Sequence, residues 1–309
     1  MANIADNAAE LVGNTPLVRL HRFEEKAGFD GRILGKVESF NPSGSVKDRI
    51  AREMIEAAEK DGRLKPGGTI IEGSSGNTGI GLAAIGTAKG YKTIIVMPDS
   101  MSQERIKILK AFGAEVVLTP GELNMGGAGA KAVEIQAETE NSVVMGQGGN
   151  PNNPAAHYKT TGPEIYRDTD GEVDILVATV GTGGTISGTG KYLREKNPDI
   201  QIIGVEPAGC PVLSGGEPGP HKIQGIGGGS IAPVTDMELI DEIITVTDDD
   251  AYATVREAAR KEGLFIGISA GAALSAATRV AAREENKGKT IVVVLPDSAE
   301  RYLSTDLFE

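Results

Sequence analysis

From residue 69 onward the chain alternates short β-branched runs with amphipathic segments, and that rhythm admits few folds. TIIE precedes GIGLAAIGTAKG, TIIVM precedes SQERIKILKAFG, and EVVLT precedes MGGAGAKAVEIQAETE. Strand-period runs separated by helix-period runs of crossover length are βαβ punctuation, so one open parallel sheet is expected in the first half. Gly90, Gly113 and Gly121 stand just past helix or strand ends, where left-handed or tight-turn backbone is needed.

The stretch GQGGNPNNP, residues 146–154, interrupts the rhythm and marks a crossing between domains. A second α/β series follows: VDILVATV, a glycine-rich loop, ISGTGKYLREKN, QIIGVEP, DEIITVT, a helix from Asp248, and TIVVVLP. The irregular stretch from Ala208 to Val234 is too long for a simple connector and is expected to carry function. At 309 residues and 39% hydrophobic content, two α/β domains are the natural division. The chain shows no internal repeat and no low-complexity segment.

Composition removes several functional classes. A net charge of −12 opposes the long-range attraction that nucleic-acid and anionic-membrane binders use, so neither partner is expected. A local anion site stays open, because amides at helix starts bind phosphate without net positive charge. No apolar run reaches membrane-spanning length. The single Cys210 rules out an internal disulfide framework and, with no secretory leader in view, points to the cytoplasm. His21, His157 and His221 are widely separated without a cysteine pair, so no metal site is expected and they read as surface or hydrogen-bonding histidines.

Four short motifs carry candidate chemistry. GTGGT, Gly181–Thr185, follows the strand VDILVATV and opens a helix: its glycines allow close approach, its amides point inward, and Thr182 and Thr185 add hydroxyl donors for a phosphate. It is neither nucleotide fingerprint, since Gly190–Lys191 is followed by Tyr192 where a P-loop needs Ser or Thr, and Ile186 occupies the last glycine of the dinucleotide pattern. SSGNTG, Ser74–Gly79, lies between strand and helix and could hold a carboxylate, or serve only as a helix cap through Asn77 or Ser75. In NPSGSVKDRIA, Lys47 stands near the start of a helix whose apolar face continues through Ile50, Met54 and Ile55. A lysine there is a solvated surface group or, if held in a site, an amine nucleophile for an aldehyde. In GISAGAA, Ser269 either caps a helix or presents a hydroxyl to a ligand ring nitrogen.

Taken in this order, the motifs resemble the cysteine synthase (O-acetylserine sulfhydrylase) family of fold-type II pyridoxal-phosphate enzymes, from TPLVRL at Thr15 to ERYLST at Glu300, with TTGPEIYRDTDG and PGPHKIQGIG between them. The resemblance implies an α/β, tryptophan-synthase-β-like fold with two open twisted sheets flanked by helices. It places a smaller mobile domain at 40–146, carrying the substrate loop, and a larger one at 1–39 and 147–309, carrying the phosphate loop. It makes Lys47 the Schiff-base lysine and later the acid/base at the substrate α-carbon. Asn77 would hold the cofactor's ring hydroxyl, Gly181, Thr182, Gly183, Gly184 and Thr185 its phosphate, and Ser269 its pyridine nitrogen. Ser74, Ser75, Gly76, Thr78 and Gln147 would bind the substrate α-carboxylate, and Gly225 would line the same pocket. The implied cofactor is pyridoxal 5'-phosphate, and the implied reaction joins O-acetyl-L-serine and sulfide to give L-cysteine and acetate through an aminoacrylate. A homodimer, and docking of a serine acetyltransferase, are further implications.

Three residues depart from the family pattern: Gly148 where an aromatic is usual, Ser230 where a phenylalanine is usual, and Gly73 in place of a proline before the SSGNT loop. The first two enlarge the expected pocket or make it more polar. They keep open the same chemistry on other substrates: an O-phosphoserine sulfhydrylase, a cystathionine β-synthase core, or a sulfide-releasing cysteine lyase.

Overall fold

The computed structural model describes residues 4–101 and 103–309; Ser102, in the segment SQERIKILKAFG, lies outside them. The chain opens with β1 (Leu17–Arg19), α1 (His21–Ala27) and β2 (Arg32–Val37). It continues with α2 (Lys47–Lys60), β3 (Thr69–Gly73), α3 (Asn77–Ala88), β4 (Lys92–Pro98), α4 (Gln103–Ala111), β5 (Glu115–Thr119), α5 (Asn124–Glu138) and β6 (Ser142–Val144). The remainder is α6 (Asn152–Lys159), α7 (Thr161–Asp168), β7 (Ile175–Thr179), α8 (Gly184–Lys196), β8 (Gln201–Pro207), β9 (Glu242–Val246), α9 (Asp248–Glu262), α10 (Ile268–Ala281) and β10 (Thr290–Leu295). These elements form two compact units, one of residues up to Val12 with Asn41–Asn152, the other of Gly13–Phe40 with Asn153–Glu309.

The first unit holds a wholly parallel sheet in the order β5-β4-β3-β6. Its strands are apolar on both faces, and the pleat sorts their side chains. Ile95 and Met97 pack with Ile80 and Ala83 of α3 and with Ile106 and Leu109 of α4. Ile71 and Val96 pack on the other face against Ala128 and Ala132 of α5. Successive residues of one strand thus feed opposite cores, as a period of two requires. Gly81 of α3 lies against α2, where an added Cβ would stand 3.2 Å from the Lys47 carbonyl oxygen, so this small residue lets the two helices approach.

The second unit holds a sheet in the order β1-β2-β10-β7-β8-β9, parallel throughout except that β1 runs antiparallel on β2. Ile291, Val293 and Leu295 of β10 join Ile175 and Val177 of β7 in the core under α10, while Val292, Val294, Leu176 and Ala178 join Ile186 and Leu193 of α8. Each such valine, leucine or isoleucine contributes roughly 1.5–3 kcal/mol on burial. Lys36 of β2, completely buried in this unit, has Nζ 2.9 Å from Glu164 and 3.6 Å from Asp168, both on α7, and donates to the Thr15 carbonyl at 2.6 Å.

Gly90 and Gly113 take left-handed backbone, φ +81° and +80°. Gly121 does not, and its lack of a side chain serves close packing on Asp99 and Ser100. Between Ala208 and Val234 the backbone has no helix or strand, and Gly225, Gly227 and Gly229 all have positive φ.

Candidate active site

In the first unit, Lys47 is the first residue of α2, and the turn before it is tied down by that helix itself. The Asp48 carboxylate, fully buried, accepts the Ser43 amide at 2.5 Å and the Ser43 hydroxyl. Gly44 turns the chain at φ +85°, a conformation an L side chain rarely adopts, and its amide closes on the Asn41 carbonyl at 2.8 Å. The Lys47 amide then donates to Ser45 Oγ at 3.2 Å. Lys47 itself is half-buried rather than extended into solvent.

The SSGNTG turn carries β3 into α3. Neither residue expected to cap this helix does so: Asn77 is the first helical residue, and Ser74 Oγ accepts the Gly76 and Gly79 amides at 3.4 and 3.2 Å. Capping from Ser74 leaves Ser75 and Asn77 outside that role. Thr78, buried in the first turn of α3, donates to Gln147 Oε1 at 2.6 Å, which joins two residues that the family resemblance implies for one carboxylate site. Two further groups hold this corner. Arg105 of α4 donates to the Ser75 carbonyl at 2.6 Å, and Glu72 of β3 accepts the Gly146 and Gln147 amides at 2.7 and 3.2 Å. Sequence reasoning passed over both; the available signal was a carboxylate inside the apolar run TIIEG.

In the second unit, GTGGT runs from β7 into α8, whose N-cap is Gly183 with no side-chain cap. Gly183 sits at φ +76°, and a Cβ there would collide with Thr235, whose hydroxyl donates to the Thr182 carbonyl at 3.1 Å. A Cβ at Gly181 would lie 2.6 Å from the Gly225 carbonyl oxygen, so Gly225 backs this loop. Asn153 donates to Thr182 Oγ1 at 3.0 Å, leaving that hydroxyl's own proton for an acceptor. His157 is completely buried and bridges Thr161 Oγ1 at 2.8 Å and Thr185 Oγ1 at 3.2 Å. It is a support of the loop, not a surface histidine. Glycines packed so closely, first-turn amides without a side-chain cap and two oriented hydroxyls fit a phosphate.

Ser269 lies one residue inside α10. The N-cap is Gly267, so capping does not explain the serine. Its side chain is buried, and its hydroxyl makes no hydrogen bond among the described residues. A buried, uncommitted hydroxyl at a helix start fits a ligand nitrogen. Beside Gly181 a cavity of about 10 Å³ is lined by Glu206, Cys210, Gly228, Ser230 and Thr235, enough for one water molecule. Ser230, one of the departures from the expected pattern, therefore borders the phosphate-type loop. Among the described residues no cluster of His, Cys, Asp and Glu could hold a metal ion, and no helix is long and apolar enough to cross a membrane.

The model of the pyridoxal-phosphate dependent enzyme family matches residues 8–297. A probable cysteine synthase of Bacillus subtilis is 52% identical over 311 residues, spanning 100% of this chain and 99% of the relative. This chain belongs to the cysteine synthase family of pyridoxal-phosphate-dependent enzymes. Its fold agrees with family crystal structures. A cysteine synthase from Entamoeba histolytica superposes with a TM-score of 0.95 at 48% identity, covering 99% of this chain and 91% of that one. A hydrogen sulfide-producing enzyme from Fusobacterium nucleatum gives 0.92 at 47% identity, with coverage of 97% and 100%. As a cysteine synthase family member the chain uses pyridoxal phosphate, and the uncapped start of α8 and the buried Ser269 hydroxyl suit that cofactor's phosphate and ring nitrogen.

Proposed function

We propose that the protein makes L-cysteine and acetate from O-acetyl-L-serine and sulfide. The observation that carries this reading is 51% identity to a cysteine synthase of Staphylococcus aureus over 98% of this chain and 97% of the relative, with Lys47 at the start of α2. Pyridoxal phosphate, when bound, supplies an electron sink for the substrate's α-carbon.

The protein's own residues do the rest. Lys47 Nζ would hold the cofactor's aldehyde carbon, and its amine would move the proton at the substrate α-carbon. Amides and hydroxyls of Gly181–Thr185 hold the phosphate, and Asn77 holds the ring hydroxyl. The Ser269 hydroxyl is neutral, so it holds the ring nitrogen without adding the charge a carboxylate would, which suits loss of a good leaving group. Ser74, Ser75, Gly76, Thr78 and Gln147 hold the substrate carboxylate, with Gly225 at the pocket wall. Acetate leaves the β-carbon and sulfide takes its place. The reading also includes a mobile smaller domain, a homodimer, and a cytoplasmic setting consistent with a single cysteine.

A second reading, a sulfide-releasing cysteine lyase, is favoured by Ser230 at the cavity beside Gly181 and by the likeness to a hydrogen sulfide-producing enzyme. A panel of O-acetylserine, O-phosphoserine, serine and cysteine separates the two. The first reading expects the highest kcat/KM with O-acetylserine and sulfide; faster sulfide release from cysteine than cysteine formation would overturn it.

A further inference from the structure

β3 carries a buried charge that the reaction itself does not use. Glu72 is registered against Ile95 of β4 and is only 2% exposed. Its two carboxylate oxygens accept separate amides, Gly146 on Oε2 and Gln147 on Oε1. The segment they hold is a tight turn: Gly146 has φ +60°, its carbonyl accepts the Gly149 and Asn150 amides at 3.0 Å each, and Asn150 Nδ2 closes on the Met145 carbonyl at 2.7 Å. From that turn Gln147 reaches Thr78 in the first turn of α3.

We propose that Glu72 is a positioning residue for substrate binding: its ionised carboxylate clamps the Gly146 and Gln147 amides and thereby sets the Gln147 side chain against Thr78. The role rests on the reading of Ser74–Thr78 and Gln147 as the α-carboxylate site. A carboxylate holding two amides gives charge-assisted hydrogen bonds, which fix a turn more firmly than neutral acceptors. Isolation of the group costs ionisation: burial pushes the Glu72 carboxyl up to about 7, and the two amides offset only part of that. The elements around it supply no compensating charge. α3 and β6 have no titratable residue, β4 has only the exposed Lys92 at its far end, and α5 has Lys131, Glu134 and Glu138 on its outer side. The clamp is therefore complete above about pH 7 and loses one acceptor below it.

The test compares wild-type holoenzyme with E72Q, Q147A and the double variant. E72Q should raise KM for O-acetyl-L-serine roughly tenfold, the worth of one charge-assisted hydrogen bond, with the change falling on KM rather than kcat. Wild-type KM should rise below about pH 7, and E72Q should abolish that rise. In the Q147A background E72Q should add nothing, because both changes remove the same arrangement. Amide exchange at Gly146 and Gln147 should quicken in E72Q, and E72D serves as the second variant if E72Q folds poorly. Unchanged exchange, or an equal KM effect with and without Gln147, overturns the proposal. Failure of wild type to turn over O-acetylserine overturns the functional reading instead, and the exchange measurement still decides the clamp.

Discussion

Ser74 and Ser269 show how little a residue type says until its hydrogen bonds are known. Both stand at helix starts, yet Ser74 Oγ takes the amides and Ser269 does not. S269A should therefore change stability by less than about 0.5 kcal/mol in the cofactor-free protein while weakening cofactor retention and shifting its absorbance; S74A should cost about 1 kcal/mol, as loss of a cap does. Denaturant titration with a parallel cofactor-binding measurement checks both. Gly183 makes a third case. G183A forces φ +76° on a residue with a Cβ and drives it into Thr235, so a loss of about 1–3 kcal/mol and of phosphate affinity is expected. The loop at 181–185 was legible as a strand-to-helix turn, because glycine spacing and hydroxyls are local signals. It could not show Glu72, Arg105 or His157 at work, since their partners lie far along the chain.

Among elements, the long alternating runs from residue 69 were legible because period and length agree there, and β3 to β5 and β7 to β10 follow them. The short ones were not. β1 and β6 have three residues each, and α6 and α7 have eight, too few for a periodic signal. β2 and α7 are joined by Lys36, whose partners Glu164 and Asp168 no local pattern could reveal. K36M should cost about 3–5 kcal/mol, because it removes the cation paired with the buried Glu164 carboxylate, and equilibrium unfolding measures it. On β3 the Glu72 carboxyl is raised to about 7 from an ordinary 4.5, so the folded state favours its protonated form. That contribution is fully present below about pH 4.5 and is lost as pH rises through 7. Between pH 4.5 and 8 wild type should lose on the order of 3 kcal/mol relative to E72Q, read from denaturant midpoints of the two proteins at each pH.

For the whole molecule, two units built on largely parallel sheets each place glycine- and serine-rich turns at the starts of helices, where the helix dipole favours anions. Family membership supplies the cofactor, pyridoxal phosphate, and the proposed function reads these turns as its holders and the substrate's. The family was legible because four motifs kept their order and spacing over nearly the entire chain. The substrate was less so, because Gly148 and Ser230 depart from the family pattern at positions the resemblance gives to the substrate pocket, while Lys47 keeps to it. The central claim is a replacement at the β-carbon in two halves, acetate leaving before sulfide enters. Holoenzyme mixed rapidly with O-acetyl-L-serine in the absence of sulfide tests it most directly. A burst of about one acetate per bound cofactor, followed by an equal amount of L-cysteine when sulfide is added, is the predicted result. Acetate that appears only after sulfide is added would contradict it.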